Sequence, residues 1–190
     1  MKSLRSGDAV TPIAHRVRSY KDAWWLLLVP HPAPRDVWSM RTSPGHQALR
    51  KGRLSLPNSV YLVTITTADR QTLFAVTEPA RAVSRCMVDA NCLGDARLLC
   101  WVLMPDHWHG LIELGTRDNL SLVMNRLKAI TTKRLRHLHR GPVWDRGFHD
   151  RALRCEDDLT ATARYIVGNP LRAGLIAHVL DYPYWDCVWL

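Results

Sequence analysis

No C-x-x-C pair occurs in this 190-residue chain, and its cysteines, Cys86, Cys92, Cys100, Cys155 and Cys187, are odd in number. That argues against a disulfide framework and against a cysteine zinc site, and it fits a reducing compartment. Long hydrophobic runs are scarce too. The apolar run Ala23 to Val29 is too short to span a bilayer. It follows Arg16, Arg18 and Lys21, as a signal core would, yet only Pro30-His31-Pro32-Ala33-Pro34 comes after it, with no small-x-small cleavage site. Neither a signal peptide nor a membrane helix is expected. Residues 1–45 lack a coherent amphipathic pattern and hold Pro12, Pro30, Pro32, Pro34 and Pro44. They read as a poorly ordered extension, or as a mis-annotated one if Met40 is the true start. Residues 46–190 read as one domain, without internal repeats.

Acidic residues are in the minority. Lys and Arg number 26 against 17 Asp and Glu, for a formal charge of +9 and a pI near 9.8. The excess concentrates between Arg117 and Arg154, where ten Lys/Arg face three Asp. Such a stretch is either a solvated helix face or a surface for a polyanion, most often nucleic acid.

The most informative stretch is Leu103-Met104-Pro105-Asp106-His107-Trp108-His109-Gly110-Leu111-Ile112. On a strand, alternation turns His107 and His109 to one face and Trp108 to the other. Two imidazoles about 6–7 Å apart on a strand can chelate one divalent ion. An isolated H-x-H is also common as a pair of solvated or hydrogen-bonded histidines. A second H-x-H, His137 and His139, falls in a segment that reads as helix, where positions two apart diverge and do not chelate.

The remaining pattern orders the elements. Ser59 to Thr67 is rich in β-branched and aromatic residues and reads as a strand. Glu78-Pro79 opens a helix that runs to about Asn91, with Gly94 as its stop. Arg97 to Leu103 and His107 to Leu114 form a hairpin around Pro105-Asp106. Asn119 begins a long helix to about His139, with Leu120, Val123, Met124, Leu127 and Ile130 as its apolar stripe. Val143 to Phe148 is a loop, in which Trp144 reads as core and Phe148 as either core or a platform for a base. His149 to Arg154 is a fourth strand. Asp157 or Asp158 caps a last helix that stops near Asn169, because Pro170 follows. The order β-α-β-β-α-β is that of an α+β, ferredoxin-like split βαβ antiparallel sheet, here with an added C-terminal helix. That helix places Tyr165 and Asn169, four apart, on one face. Taken singly, Tyr165 reads as a half-buried core residue and Asn169 as a helix C-cap.

Several pieces together carry a resemblance. They are Gly52-Arg53-Leu54-Ser55-Leu56-Pro57, Tyr61-Leu62-Val63-Thr64, Arg70, Leu73-Phe74, Met104-Pro105-Asp106-His107-Trp108-His109 and Val143-Trp144-Asp145-Arg146-Gly147-Phe148-His149-Asp150. Tyr165 to Leu175 and Asp181-Tyr182-Pro183-Tyr184-Trp185 complete the set. In this order and spacing, over about residues 46–187, the chain resembles the REP-associated tyrosine transposases, a branch of the single-tyrosine HUH transposases. The resemblance implies that His107 and His109 bind Mg²⁺ or Mn²⁺ and that Tyr165 is the nucleophile. It implies that Asn169 completes the metal site, at a position where some relatives in the wider class carry Gln.

The implied activity is metal-dependent cleavage and rejoining of single-stranded DNA at palindromic hairpin elements, through a 5′-phosphotyrosine intermediate. A guide-like single-stranded tetranucleotide beside the stem belongs to such substrates. An ordinary tyrosine ionises near pH 10, so this role requires a metal or nearby cations; Arg164 and Arg172 are near in sequence. Arg126, Lys128, Lys133, Arg134, Arg146, Arg151 and Arg154 are the candidate contacts to the DNA backbone. The expected enzyme is cytoplasmic and nucleoid-associated, acts without a membrane, and works as a monomer or homodimer. The alternatives are a non-cleaving hairpin DNA-binding protein and, against the charge pattern, a hydrolase of small phosphoesters.

Overall fold

A computed structural model describes residues 55–154 and 157–189, all within one compact unit, Pro32–Leu190. The expected extension over residues 1–45, and its boundary, lie outside the described residues. Nine elements follow in order: β1 (Val60–Thr66), α1 (Thr77–Met87), β2 (Arg97–Met104), β3 (His107–Glu113), α2 (Leu120–Leu135), β4 (His149–Ala152), α3 (Leu159–Val167), α4 (Asn169–Arg172) and β5 (Trp185–Cys187), with short 3₁₀ turns between some of them.

The five strands form one sheet in the order β4-β1-β3-β2-β5, and every pairing is antiparallel. Its first four strands reproduce the split βαβ arrangement expected from the element order. The fifth was not expected. The chain end returns along β2, where the Tyr182 hydroxyl donates to the Leu103 carbonyl at 2.7 Å and Leu103 N–H donates to the Tyr184 carbonyl at 2.8 Å. This sets Cys187 opposite Cys100 and Trp185 opposite Val102.

Alternation along the strands builds two cores. On one face Val63, Ile65, Trp101, Leu103, Trp108 and Ile112 pack against α1 and α2, whose buried stripes include Val83, Val123, Met124 and Leu127. On the other face Cys100, Val102, Met104 and Leu111 pack against Ala163, Ile166 and Val167 of α3. A bulge at Leu99 shifts the register of β2 against β3, so that Leu98 and Trp101 serve the same core. The helix starts obey local chemistry. The Asn119 side chain accepts from Leu122 N–H at 2.9 Å, and that of Asp158 accepts from Ala161 N–H at 3.0 Å.

Several boundaries differ from expectation, and Pro170 does not end the helical path: α3 stops at Val167 and Pro170 lies in the first turn of α4. Helix α1 stops at Met87 rather than near Asn91, because the Asp89 carboxylate accepts from Asn91 N–H and starts a separate turn. Helix α2 stops at Leu135, so His137, in the turn that follows, and His139 both fall beyond the helix. Strand β4 ends at Ala152, four residues long.

Candidate functional site

His107 and His109 stand at the start of β3, on the face that α3 covers, while Trp108 is fully buried in the opposite core. Their rings meet edge to face with centroids 4.7 Å apart. That is closer than the backbone spacing alone would set, and within reach of a shared ion.

Neighbouring elements orient both rings. His109 lies directly across from Thr64 of β1, and its Nδ1 is 2.8 Å from the Thr64 hydroxyl. His109 is only 3% exposed. His107 Nδ1 lies 2.5 Å from one Asp106 carboxylate oxygen. The other oxygen accepts from Arg70 Nη1 at 3.1 Å. Arg70 follows Asp69, and both adopt left-handed backbone, with φ of 55° and 53°. That conformation is unfavourable for non-glycine residues; it goes here with a guanidinium placed behind Asp106. The same turn is fixed by the Thr67 hydroxyl, which donates to the Asp106 and Gln71 carbonyls. With Nδ1 engaged on both rings, Nε2 is the nitrogen each would present to a metal.

The electrostatics disfavour the charged form of both rings. Burial holds His109 well below the ordinary histidine value, and the charges of His107, Arg172 and Arg70 add to it. Burial also lowers His107, against the opposing hydrogen bond and charge of Asp106. Burial would raise Asp106, but its bond and charge pairing with His107, and then Arg70, leave it below the usual value. Neutral imidazole is the form that binds metal.

The expected helix carrying Tyr165 is α3, and it packs across the histidine-bearing face of the sheet through Ala163, Ile166 and Val167. Tyr165 itself is half-buried. Asn169 begins α4, with Pro170 in its first turn. Its side-chain nitrogen donates to the Ile166 carbonyl at 2.9 Å and the Tyr165 carbonyl at 3.3 Å. The amide thus caps α3, and Oδ1 is the atom it can offer to a cation. Two imidazole nitrogens and one amide oxygen fit a divalent ion such as Mn²⁺, and less naturally Mg²⁺. Among the described residues no group of three His, Cys, Asp or Glu could hold a metal. Oxygens from phosphate and water would have to complete such a shell.

The basic residues divide. Helix α2 lies on the core face away from the histidines, so Lys133 and Arg134, both exposed, sit across the sheet from them. Arg126 is held by Asp118 at 2.7 Å. Lys128 donates to the carbonyls of Asp145, Arg146 and Gly147 and so ties down the loop before β4. Arg146 and Arg154 are exposed on either side of β4. Arg151 is opposite Leu62, on the histidine face, and pairs with Asp157 at 3.1 Å. Trp144 is core: it is buried, and its indole N–H donates to the Thr131 hydroxyl at 2.8 Å. Phe148 is partly buried against that core.

Sequence reasoning missed Thr64 and the Arg70–Asp106 pair, and saw in Arg172 only a cation near Tyr165 along the chain. The strand register would have found Thr64, since pairing His109 with β1 brings a hydroxyl opposite the ring. Asp106 read only as a turn residue.

Residues 56–169 match a family model described as IS200-like transposase. A REP-associated tyrosine transposase of Haemophilus influenzae is 31% identical over 94 residues, covering 43% of this chain and 53% of the relative. The chain therefore spans about half the length of that curated relative. Among solved structures, a REP-associated tyrosine transposase bound to a REP hairpin superposes with a TM-score of 0.59 at 21% identity, over 70% of this chain and 79% of that one. That likeness is one of fold. A transposase structure from Deinococcus radiodurans R1 aligns over 66% of this chain and 92% of its own, at 19% identity and a TM-score of 0.46.

Proposed function

This chain belongs to the family of IS200-like transposases, and from that premise we propose that it cleaves and rejoins single-stranded DNA at palindromic hairpin elements, with a divalent metal and a 5′-phosphotyrosine intermediate. The observation that carries this reading is the packing of the Tyr165 helix over the sheet face that bears His107 and His109. A core tyrosine and two solvated histidines would not require that juxtaposition.

In the proposed reaction His107 and His109, with Asn169 through Oδ1, would hold Mn²⁺ or Mg²⁺. When bound, the ion polarises the scissile phosphate and stabilises its developing charge. Thr64 and Asp106 engage Nδ1 of the two imidazoles, so Nε2 is the atom each would offer to the ion. The phenolate oxygen of Tyr165 attacks phosphorus in line. A phosphorus–oxygen bond forms to tyrosine, the bond to the 3′ oxygen breaks, and that oxygen takes up a proton and leaves as a free 3′-hydroxyl. Attack by another 3′-hydroxyl on the phosphotyrosine runs the step backwards and joins strands. The packing of α3 on its own sheet supports use of Tyr165 with the histidines of the same chain.

The DNA backbone is proposed to follow the exposed cations that flank β4, Arg146, Arg151 and Arg154, with Lys133, Arg134, Arg126 and Lys128 adding to the field from α2. Among the described residues no helix is long and apolar enough to cross a membrane. The proposed place of work is the cytoplasm, on the nucleoid.

The test is to incubate single-stranded hairpin DNA with the protein and Mn²⁺. A covalent adduct that survives denaturation, and vanishes in Tyr165→Phe, is the expected result. Hairpin binding without an adduct would turn the reading into that of a non-cleaving binder. Cleavage that persists in Tyr165→Phe would make it a hydrolase.

A further inference from the structure

The five residues after Val167 fold the chain back on Tyr165. Arg172 closes α4, and its backbone N–H donates to the Gly168 carbonyl at 3.1 Å. Its guanidinium carbon lies 3.9 Å from the centroid of the Tyr165 ring, and its Nη2 donates to the Tyr165 carbonyl. The guanidinium can reach there because position 168 has no side chain. A Cβ at Gly168 would come within 2.8 Å of Arg172 Nη1. The backbone at Gly168 is ordinary right-handed helix, φ −76° and ψ −1°, so conformational freedom is not the reason for glycine there. Space is. Arg172 stands outside the span that matches the family model, which ends at residue 169.

We propose that Arg172 is a positioning residue for the nucleophile: passing over the bare α-carbon of Gly168, its guanidinium lies over the Tyr165 ring and fixes the ring's attitude toward a phosphate held at His107 and His109. The physical basis is twofold. A cation over an aromatic face is attracted to it and restricts its rotation. A planar group anchored to the same residue's carbonyl sets that restraint in one geometry, which an ammonium on a flexible stem does not reproduce. Holding a nucleophile in its attacking orientation acts on the chemical step more than on substrate binding.

This inference rests on Tyr165 being the nucleophile, so the experiment begins with the wild-type adduct. Single-turnover adduct formation is measured at saturating hairpin DNA with Mn²⁺, alongside DNA affinity and thermal melting. The variants are Arg172→Ala, Arg172→Lys and Gly168→Ala. The last keeps the cation but fills the gap it passes through. The expected result is a rate lowered about tenfold or more in all three, with DNA affinity within about threefold of wild type and melting little changed. Three results overturn the proposal. One is an unchanged rate in Arg172→Ala. Another is full rescue by lysine, which would mean that charge alone is used. The third is parallel loss of melting temperature, binding and rate, which would mean a structural role. A wild-type protein that forms no adduct would bring down the function itself, and this role with it.

Discussion

The indole of Trp108 lies across the bare α-carbon of Gly110, its neighbour two positions along the same face of β3. A Cβ at Gly110 would fall 1.9 Å from Trp108 Cη2, and Trp108 is wholly enclosed by the core under α1 and α2. The ring cannot move aside without displacing packed neighbours. Gly110→Ala should therefore destabilise the domain by about 1–3 kcal/mol, the usual cost of overpacking. Denaturant melts of the two proteins check this. Equal stability would mean that the indole has another resting place.

Thr64→Val keeps the shape of the side chain but removes the hydroxyl from His109 Nδ1. The ring then loses what sets its tautomer. Metal affinity should fall about 10–100-fold, the usual effect of removing such a support, and Asp106→Asn should act similarly on His107. Mn²⁺ titration in the presence of hairpin DNA reads the effect. Unchanged affinity in both variants would show that the two contacts do not orient ligands.

The metal-free protein should lose stability as pH falls below about 6.5. In the folded chain His109 takes its proton well below the ordinary value of 6.5, and His107 also lies below it. The unfolded chain takes those protons near 6.5, so below that pH it binds more protons than the native state. The contribution of neutral histidine is thus complete above 6.5 and shrinks on acidification toward the folded values. Each histidine adds at most about 1.4 kcal/mol per pH unit. Asp106 has the same sign, but its window lies below about 3.8. Denaturation midpoints at pH 7.5 and 5.5 test it. No change, or a gain toward acid, contradicts the burial of neutral rings.

Mixing Tyr165→Phe with His107→Ala should not restore adduct formation, because one chain carries α3 over its own histidines. Recovery of a sizeable fraction of wild-type activity in the mixture would mean that the helix is exchanged between partners.

Lys128→Met should act on stability and loop order, at about 1–3 kcal/mol for charge-assisted hydrogen bonds to three carbonyls. Arg146→Ala, with no such anchoring by its side chain among the described contacts, should instead lower DNA affinity and flatten its salt dependence by roughly one unit of slope. Equal effects of the two substitutions on binding and melting would erase this distinction.

What could be read from the sequence was whatever one segment encodes alone. The caps Asn119 and Asp158, the hairpin at Pro105-Asp106 and the alternation around Trp108 are local, and each stands as expected. Strand β5 is three residues long, too short for any periodic signal, and its place is set by contacts to β2 some 80 positions earlier. The supports of the site were hidden for the same reason. Thr64 meets His109 only through register, and Arg70 meets Asp106 only because two left-handed residues turn it there. Arg172 is seven positions from Tyr165, and a break after Val167, rather than a continuous helix, returns it to the ring.

The alternation of β3 makes the parity of a position decide what a substitution reports. Even-numbered residues from Trp108 to Ile112 answer to packing, and changes there should shift melting while sparing chemistry in whatever molecules remain folded. Under the proposed function, odd-numbered His107 and His109 should answer to the reacting centre instead, and polar replacements there should be silent in a melt yet abolish turnover. Beyond His109 the rule ends, because Leu111 on the same face is itself core against α3, so a library confined to residues 107–110 is the one that separates into two phenotypes.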